Sequence, residues 1–338
     1  MKNSVLLGTL AAAALVAGAA AATTLEDIKA RGVLNCGSNT GLTGFGAPDA
    51  NGNYQGFDVD LCKAIGAAVL GDQTKVKFVP LTGETRFTAL ASGEVDLLVR
   101  NSTWTFSRDT DLKLDFVAVN YYDGQGFMVK KTLGVSSAKE LDGATICIQT
   151  GTTTELNLAD YFKSNNIKYT PVTVADDGEA IRQYSAGACD AYTTDASGLA
   201  ASRASLPTPA DSIILPEIIS KEPLGPVVRH GDNQWGDIVR WTYFALLTAE
   251  EKGITKANIN EVAASSTDPE VRRLLGVDGD MGKMMGLDKD WAKRAIAANG
   301  NYGEIFEANI GTKTPIGLAR GLNALWTQGG LQYSPPFR

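Results

Sequence analysis

Few residues in this 338-residue chain combine the type and the spacing needed for chemistry, and they are suited to holding a ligand. Thr152-x-x-Glu155 has the form of a capping box, which places Thr152 at a helix N-terminus within Gln149-Thr-Gly-Thr-Thr-Thr-Glu155. Free backbone N–H groups there attract an anion, and the neighbouring threonine hydroxyls add donors. Arg108, closing Arg100-Asn-Ser-Thr-Trp-Thr-Phe-Ser-Arg108, can offer a guanidinium fork to the same carboxylate. Asp195, closing Thr193-Thr-Asp195, can accept from an ammonium group. An anion clamp opposite a carboxylate is what an α-amino acid requires. Each residue also has a plain structural reading. Arg108 can pair with Asp109 or Asp111 at the surface, Asp195 can cap a loop, and Thr152 and Thr153 can cap a helix with no ligand.

Other chemistries are poorly served. The single histidine, His230, lies in the polar stretch Arg229-His-Gly-Asp232 and leaves little room for Ser-His-Asp catalysis or a His-rich metal site. Gly151-Thr-Thr lacks the lysine of a P-loop, and Asp278-Gly-Asp280 lacks the spacing and terminal glutamate of a calcium loop. Met281, Met284 and Met285 read as packing. A net charge of −7 and a pI near 4.9 argue against nucleic acid as a partner. No metal and no cofactor are expected.

The elements that must position these residues form a repeated α/β unit. Residues 31–36 read as a strand opening into a Gly-rich turn, and residues after Gly56 as a helix with Asp58 and Asp60 in its first turn. Strand 76–81, helix 85–92 stopped by Gly93, and strand 95–99 follow. The order returns as strand 144–149, helix 152–162, strand 169–174, helix 178–186 and strand 189–193. Gly93-Glu-Val-Asp96 and Gly187-Ala-Cys-Asp190 occupy the same helix-stop-to-strand position, and Cys36 and Cys147 both sit near the end of a first strand. The expected architecture is α/β and bilobal, two mostly parallel sheets flanked by helices, with ligands at the strand carboxyl ends.

The N-terminus reads as an export signal. Lys2 precedes an apolar stretch over residues 5–16, and Ala20-Ala21-Ala22 offers a cleavage pattern that would leave Thr23 first. The competing reading is an uncleaved anchor. In an oxidising compartment the four cysteines, none in a C-x-x-C pair, allow two disulfides in three connectivities. Sequential pairing, Cys36 with Cys62 and Cys147 with Cys189, keeps each link within one lobe. Buried free thiols are the alternative.

Several linked motifs then carry a resemblance. They are Gly56-Phe-Asp-Val-Asp60, Arg86-Phe87, Ser92-Gly-Glu-Val-Asp96, Asn101-x-Thr-Trp-Thr-x-x-Arg108, Gly151-Thr-Thr and Asp190-Ala-Tyr-Thr-Thr-Asp195. Together they resemble periplasmic polar amino-acid-binding proteins of ABC transporters, solute-binding protein family 3. The tail from Pro315-Ile-Gly-Leu-Ala-Arg-Gly-Leu-Asn323 to Pro335-Pro336 is similar to the general L-amino-acid-binding branch.

That resemblance implies a carboxylate held by Arg108, Thr103, Gly151, Thr152 and Thr153, and an ammonium held by Asp195 with Asn101. It implies hinge strands near residues 120–124 and 221–226. The domains would then be a signal peptide at 1–22, lobe one at 23–121, lobe two at 122–222, and a return to lobe one with a C-terminal extension at 223–338. Asn39, Thr40, Phe45, Glu84 and Trp104 flank the expected cleft as candidate side-chain contacts. The implied protein is a monomeric periplasmic receptor, not an enzyme, that passes L-amino acids, including acidic and amide ones, to a membrane permease. The alternative is a periplasmic dehydratase of aromatic amino-acid precursors on the same fold, with a Glu such as Glu84 as acid.

Overall fold

The computed structural model describes residues 23–338, so the leader reading of residues 1–22 lies outside the described residues. The first part of the chain runs α1 (Thr24–Arg31), β1 (Leu34–Asn39), a small hairpin of β2 (Ala47–Pro48) and β3 (Tyr54–Gln55), and α2 (Phe57–Leu70). It continues through β4 (Val76–Leu81), α3 (Arg86–Ala91), β5 (Leu97–Leu98), α4 (Phe106–Thr110) and β6 (Leu114–Phe116). The chain leaves this part through β7 (Tyr121–Asp123).

A second sheet follows from β8 (Gln125–Lys130), β9 (Ala144–Gln149), α5 (Thr153–Ser164), β10 (Tyr169–Val174), α6 (Asp177–Ala186), β11 (Ala191–Asp195), α7 (Ala196–Ala204) and β12 (Ser212–Ile214). The return is β13 (Glu222–Leu224) and β14 (Val227–Arg229). The sheets have orders β4-β1-β5-β14-β6 and β10-β9-β11-β8-β12. In each, three neighbouring strands are parallel and the strand beside them, β14 in the first and β8 in the second, runs the other way. Between the sheets β7 and β13 pair as an antiparallel ribbon, Tyr121 opposite Leu224 and Asp123 opposite Glu222.

The internal repeat is visible in hydrogen bonds. Asp96 donates its backbone N–H to Asn35 and accepts the Asn35 N–H on its carboxylate. Asp190 makes the same exchange with Thr145. Each carboxylate takes a place that a strand carbonyl would otherwise fill, so β5 and β11 begin only after it. That is why the strands expected at 95–99 and 189–193 start late, the second running on to Asp195. Strands 76–81, 144–149 and 169–174 fall as read from the sequence, whereas β1 begins at Leu34 and ends at Asn39. Cys36 of β1 is bonded to Cys62 of α2, and Cys147 of β9 to Cys189 before β11, with Cα separations of 6.4 and 5.5 Å. Each link stays on its own sheet.

The largest apolar core lies on the first sheet. Beyond β14 come α8 (Asn233–Glu251), α9 (Ile259–Ser265), α10 (Pro269–Leu274), α11 (Met281–Met284), α12 (Trp291–Asn299) and α13 (Tyr302–Asn309). The alanines of α2 let α12 approach closely, and Trp235, Ile238 and Val239 of α8 close the layer. The remaining tail grips the crossing strand. Asn323 accepts the Tyr122 N–H at 2.7 Å and donates to the Tyr122 carbonyl at 3.1 Å. Tyr302 donates to Asn120 O, and Arg320 forks onto Glu250. Among the described residues no helix is long and apolar enough to cross a membrane.

Candidate functional site

The strand ends of the two sheets meet. Asn39 at the end of β1 donates to Asp177 at the start of α6, 3.1 Å away. Thr103, after β5, lies 3.4 Å from Thr153 at the start of α5, hydroxyl to hydroxyl. Glu84, after β4, rests on Gly151: a Cβ there would stand 2.8 Å from Glu84 Cγ, and its φ of +69° favours glycine as well. Thr43 and Ser205 complete the contact with a 3.2 Å hydrogen bond.

Arg108 is the third residue of α4, a helix too short to stand alone. Thr105 caps α4 by accepting the Arg108 N–H, and the guanidinium folds back to donate to the Thr103 carbonyl at 3.0 Å. Arg86 and Arg108 both lie against the Phe87 ring, 4.8 and 4.9 Å from its centroid. Arg100 adds a third guanidinium, 1% exposed, donating to Leu81 O. The Nη2 of Arg100 and Nε of Arg86 are buried and find no acceptor among the described residues. Burial pulls all three pKa values down: Arg108 to about 10, and Arg86 well below its ordinary value, helped by its two cationic neighbours.

Carboxylates face these cations. Asp195 ends β11 and is buried; its pKa is pushed well above the usual range by burial first, then by Asp123 and Glu222. Asp123 is raised to about 6 by burial, against hydrogen bonds from Ser197 and the Gly124 N–H. Asp58, in the first turn of α2, reaches about 6 for the same reason, although Asn101 N–H and Asn120 donate to it. Arg108 feels the charges of Glu222 and Asp195, while Asp195 feels Glu222 and, with opposite sign, Arg86.

The residues singled out from sequence separate into groups. Arg108, Thr103, Asn101, Asn39, Thr153 and Asp195 are gathered at the contact between the sheets. Thr152 is the N-cap of α5, yet its hydroxyl donates to the Gln149 carbonyl at 2.7 Å and no side-chain cap forms, so the capping box with Glu155 is absent. The ion pairs weighed for Arg108 with Asp109 or Asp111 are not formed among the described residues. Thr40 is half-buried at the rim, near the Asn39 side chain, and Glu84 is exposed there. Phe45 belongs to the core instead, edge-on to Phe57 and Tyr121. Trp104 is 38% exposed and stacks on Phe116.

Sequence reading missed Arg86, Arg100, Asp123, Asp177 and Glu222 as members of this group. A signal existed for some. Arg100 follows an apolar strand directly, where a charged residue has to face a strand end.

Comparison with known proteins agrees with this architecture. Residues 34–272 match the bacterial extracellular solute-binding proteins, family 3, which leaves residues 273–338 beyond the match. A glutamate/glutamine/aspartate/asparagine-binding protein of Rhodobacter capsulatus is 77% identical, with both chains covered in full. A general L-amino acid-binding periplasmic protein of Rhizobium johnstonii is 59% identical, again over the whole of both chains. A periplasmic binding protein of an ABC transporter from Brucella ovis, solved with glutathione bound, superposes with a TM-score of 0.91 at 57% identity, covering 94% of this chain and 100% of that one. The chain therefore belongs to the bacterial extracellular solute-binding proteins of family 3.

Proposed function

We propose that this protein is a periplasmic receptor that binds L-amino acids between its two lobes and delivers them to the membrane permease of an ABC importer. The observation that carries the reading is a buried guanidinium, Arg108, facing a buried carboxylate, Asp195, across two meeting sheets beside a helix N-terminus. Arg108 and the backbone N–H groups at Gly151 to Thr153 hold the α-carboxylate, with Thr103 alongside. Asp195, with Asn101 nearby, takes the α-ammonium, whose positive charge offsets the burial that disfavours the ionised aspartate.

The side-chain end is served by donors without acceptors. Arg86 Nε and Arg100 Nη2 favour ligands bearing a carboxylate or amide oxygen, in line with the glutamate, glutamine, aspartate and asparagine named for the Rhodobacter relative. Asn39 and Thr40 flank that end, with Glu84 at the rim. Glutathione, held by the Brucella relative, likewise presents a free α-amino and α-carboxylate pair at its glutamyl end.

In this reading lobe one comprises residues 23–121 and 223–338, lobe two residues 122–222, and the β7–β13 ribbon is the hinge of a ligand-driven closure. The mature chain begins at Thr23, which caps α1 through a capping box with Glu26, and acts as a monomer. The dehydratase alternative is not favoured, because the close relatives are binding proteins and Glu84 is exposed at the rim.

A thermal-shift screen of the twenty amino acids, followed by calorimetry on those that raise the melting temperature, tests the reading. Stabilisation by glutamate and glutamine is expected. No stabilisation by any amino acid would overturn it.

A further inference from the structure

Glu222 is the most thoroughly engaged carboxylate at the contact between the sheets. It sits in β13, opposite Asp123 of β7, and is 1% exposed. One oxygen, Oε2, accepts from Thr103 Oγ1 at 2.5 Å and from Thr153 Oγ1 at 2.9 Å. The other, Oε1, accepts from Asn157 Nδ2 and Ser220 Oγ, each at 2.7 Å. A carboxylate has about four acceptor positions, so this shell is full.

The donors come from three separate places. Thr103 follows β5 on the first sheet and is tied to β13 itself, with Trp104 N–H donating to Pro223 O. Thr153 and Asn157 are four residues apart on α5, hence on one helix face over the second sheet. Ser220 leads into β13. A buried carboxylate stripped of donors is costly, so Glu222 is satisfied only while α5 lies against the Thr103 segment.

A hydroxyl has one proton to give. Thr103 and Thr153 give theirs to Glu222 and are left, toward the cleft, with lone pairs. The donors available to a bound carboxylate are then Arg108 and the backbone N–H groups of the α5 terminus.

We propose that Glu222 is a positioning residue, a strut that gathers donors from both lobes and favours their closure without touching the ligand. The inference rests on the reading of the cleft as an amino-acid site that closes. It goes beyond that reading by assigning closure energy to a group that recognises nothing. Removal of the strut should weaken every ligand by a common factor.

The test uses the mature protein and its E222A, E222Q and N157L variants, with circular dichroism as the control for folding. Calorimetry with glutamate, glutamine, aspartate and asparagine should show E222A weakened tenfold or more for all four, with their ranking and ratios kept. E222Q, which retains one acceptor oxygen, should fall between E222A and wild type. N157L, lying outside the ligand site, should give a smaller common loss even if E222A fails to fold.

Small-angle scattering should show a larger radius of gyration for E222A than for wild type without ligand, and this arm needs no binding. Equal radii together with affinities within twofold of wild type for the folded variants would overturn the strut. Altered ratios among the ligands would also overturn it, by making Glu222 a recognition residue. If wild type bound none of the four, the reading of the cleft would fall, and the scattering alone would decide for or against the strut.

Discussion

The two sheets are built alike and armed differently. Both place a parallel β-strand trio beside an antiparallel strand, both begin the last strand of the trio behind an aspartate clamped to the trio's first, and both carry a cysteine in that first strand. At the strand ends the likeness stops. The first sheet presents the guanidiniums of Arg86, Arg100 and Arg108, and the second presents the carboxylates of Asp177 and Asp195, with the N-terminus of α5 as a patch of the same sign as the guanidiniums. A repeated scaffold fixes where chemistry can be placed, and the residues just beyond the strands decide its sign. Guanidiniums and a helix N-terminus facing buried carboxylates offer complements to both ends of a zwitterion.

The two sheets also differ in the bulk packed on them. Residues 230–338 add six helices and a tail to the first sheet, and the second has no counterpart. That mass reaches the crossing strand through Asn323, whose amide exchanges two hydrogen bonds with Tyr122 as a neighbouring strand would.

Removing the lead cation should do most to break the comparison of the two walls. Arg108→Ala is expected to cost about 2–5 kcal/mol of affinity for every amino acid bound, because the ligand carboxylate loses a desolvated partner. Calorimetry checks this, and an unchanged affinity would remove Arg108 from the site. Next comes the acid within the cationic wall. Asp58 is held at about 6 against an ordinary 3.8, so the folded protein binds the extra proton between those values. Its contribution to stability is therefore fullest below pH 4 and is lost as pH rises toward 6, by up to about 3 kcal/mol. Urea unfolding across that window should show a slope that Asp58→Asn flattens; identical slopes would refute the assignment.

Asp195→Asn should weaken binding by about 1.5–3 kcal/mol, the worth of a hydrogen bond to a charged group, while raising the unliganded melting temperature. A binding curve indistinguishable from wild type would place the ammonium elsewhere. Arg100→Met should leave the head group held and reduce the preference for glutamate over alanine by about tenfold, roughly 1.4 kcal/mol. A retained preference assigns side-chain reading to other residues. The smallest effect is expected at the crossing strand, where Asn323→Ala should lower unfolding free energy by about 1 kcal/mol, measurable in urea.

Much of this was legible before any coordinates. The helix over α2, the strands at β4, β9 and β10, the crossing strands and the sequential cysteine pairs follow from local pattern, from the repeat and from the family resemblance. Asp195, Arg108 and Thr153 could be chosen because carboxylate and ammonium recognition demand their types near strand and helix ends. Thr152 shows the limit. A capping box is a local rule, but its hydroxyl found the Gln149 carbonyl when the loop folded back. Phe45 shows another, since nothing in sequence separates an aromatic wall of a cleft from an aromatic core directly beneath it.

Glu222 and Asp177 illustrate what distance in sequence conceals. Glu222 lies 119 residues from Thr103 and 69 from Thr153, and no periodicity links positions so far apart. Sequence by itself determined the elements, their order and the chemical types available, because these depend on neighbours within a few turns of chain. Only the tertiary structure decided which donors meet which acceptors, because a hydroxyl with one proton commits it to whichever buried oxygen the closed packing brings within reach.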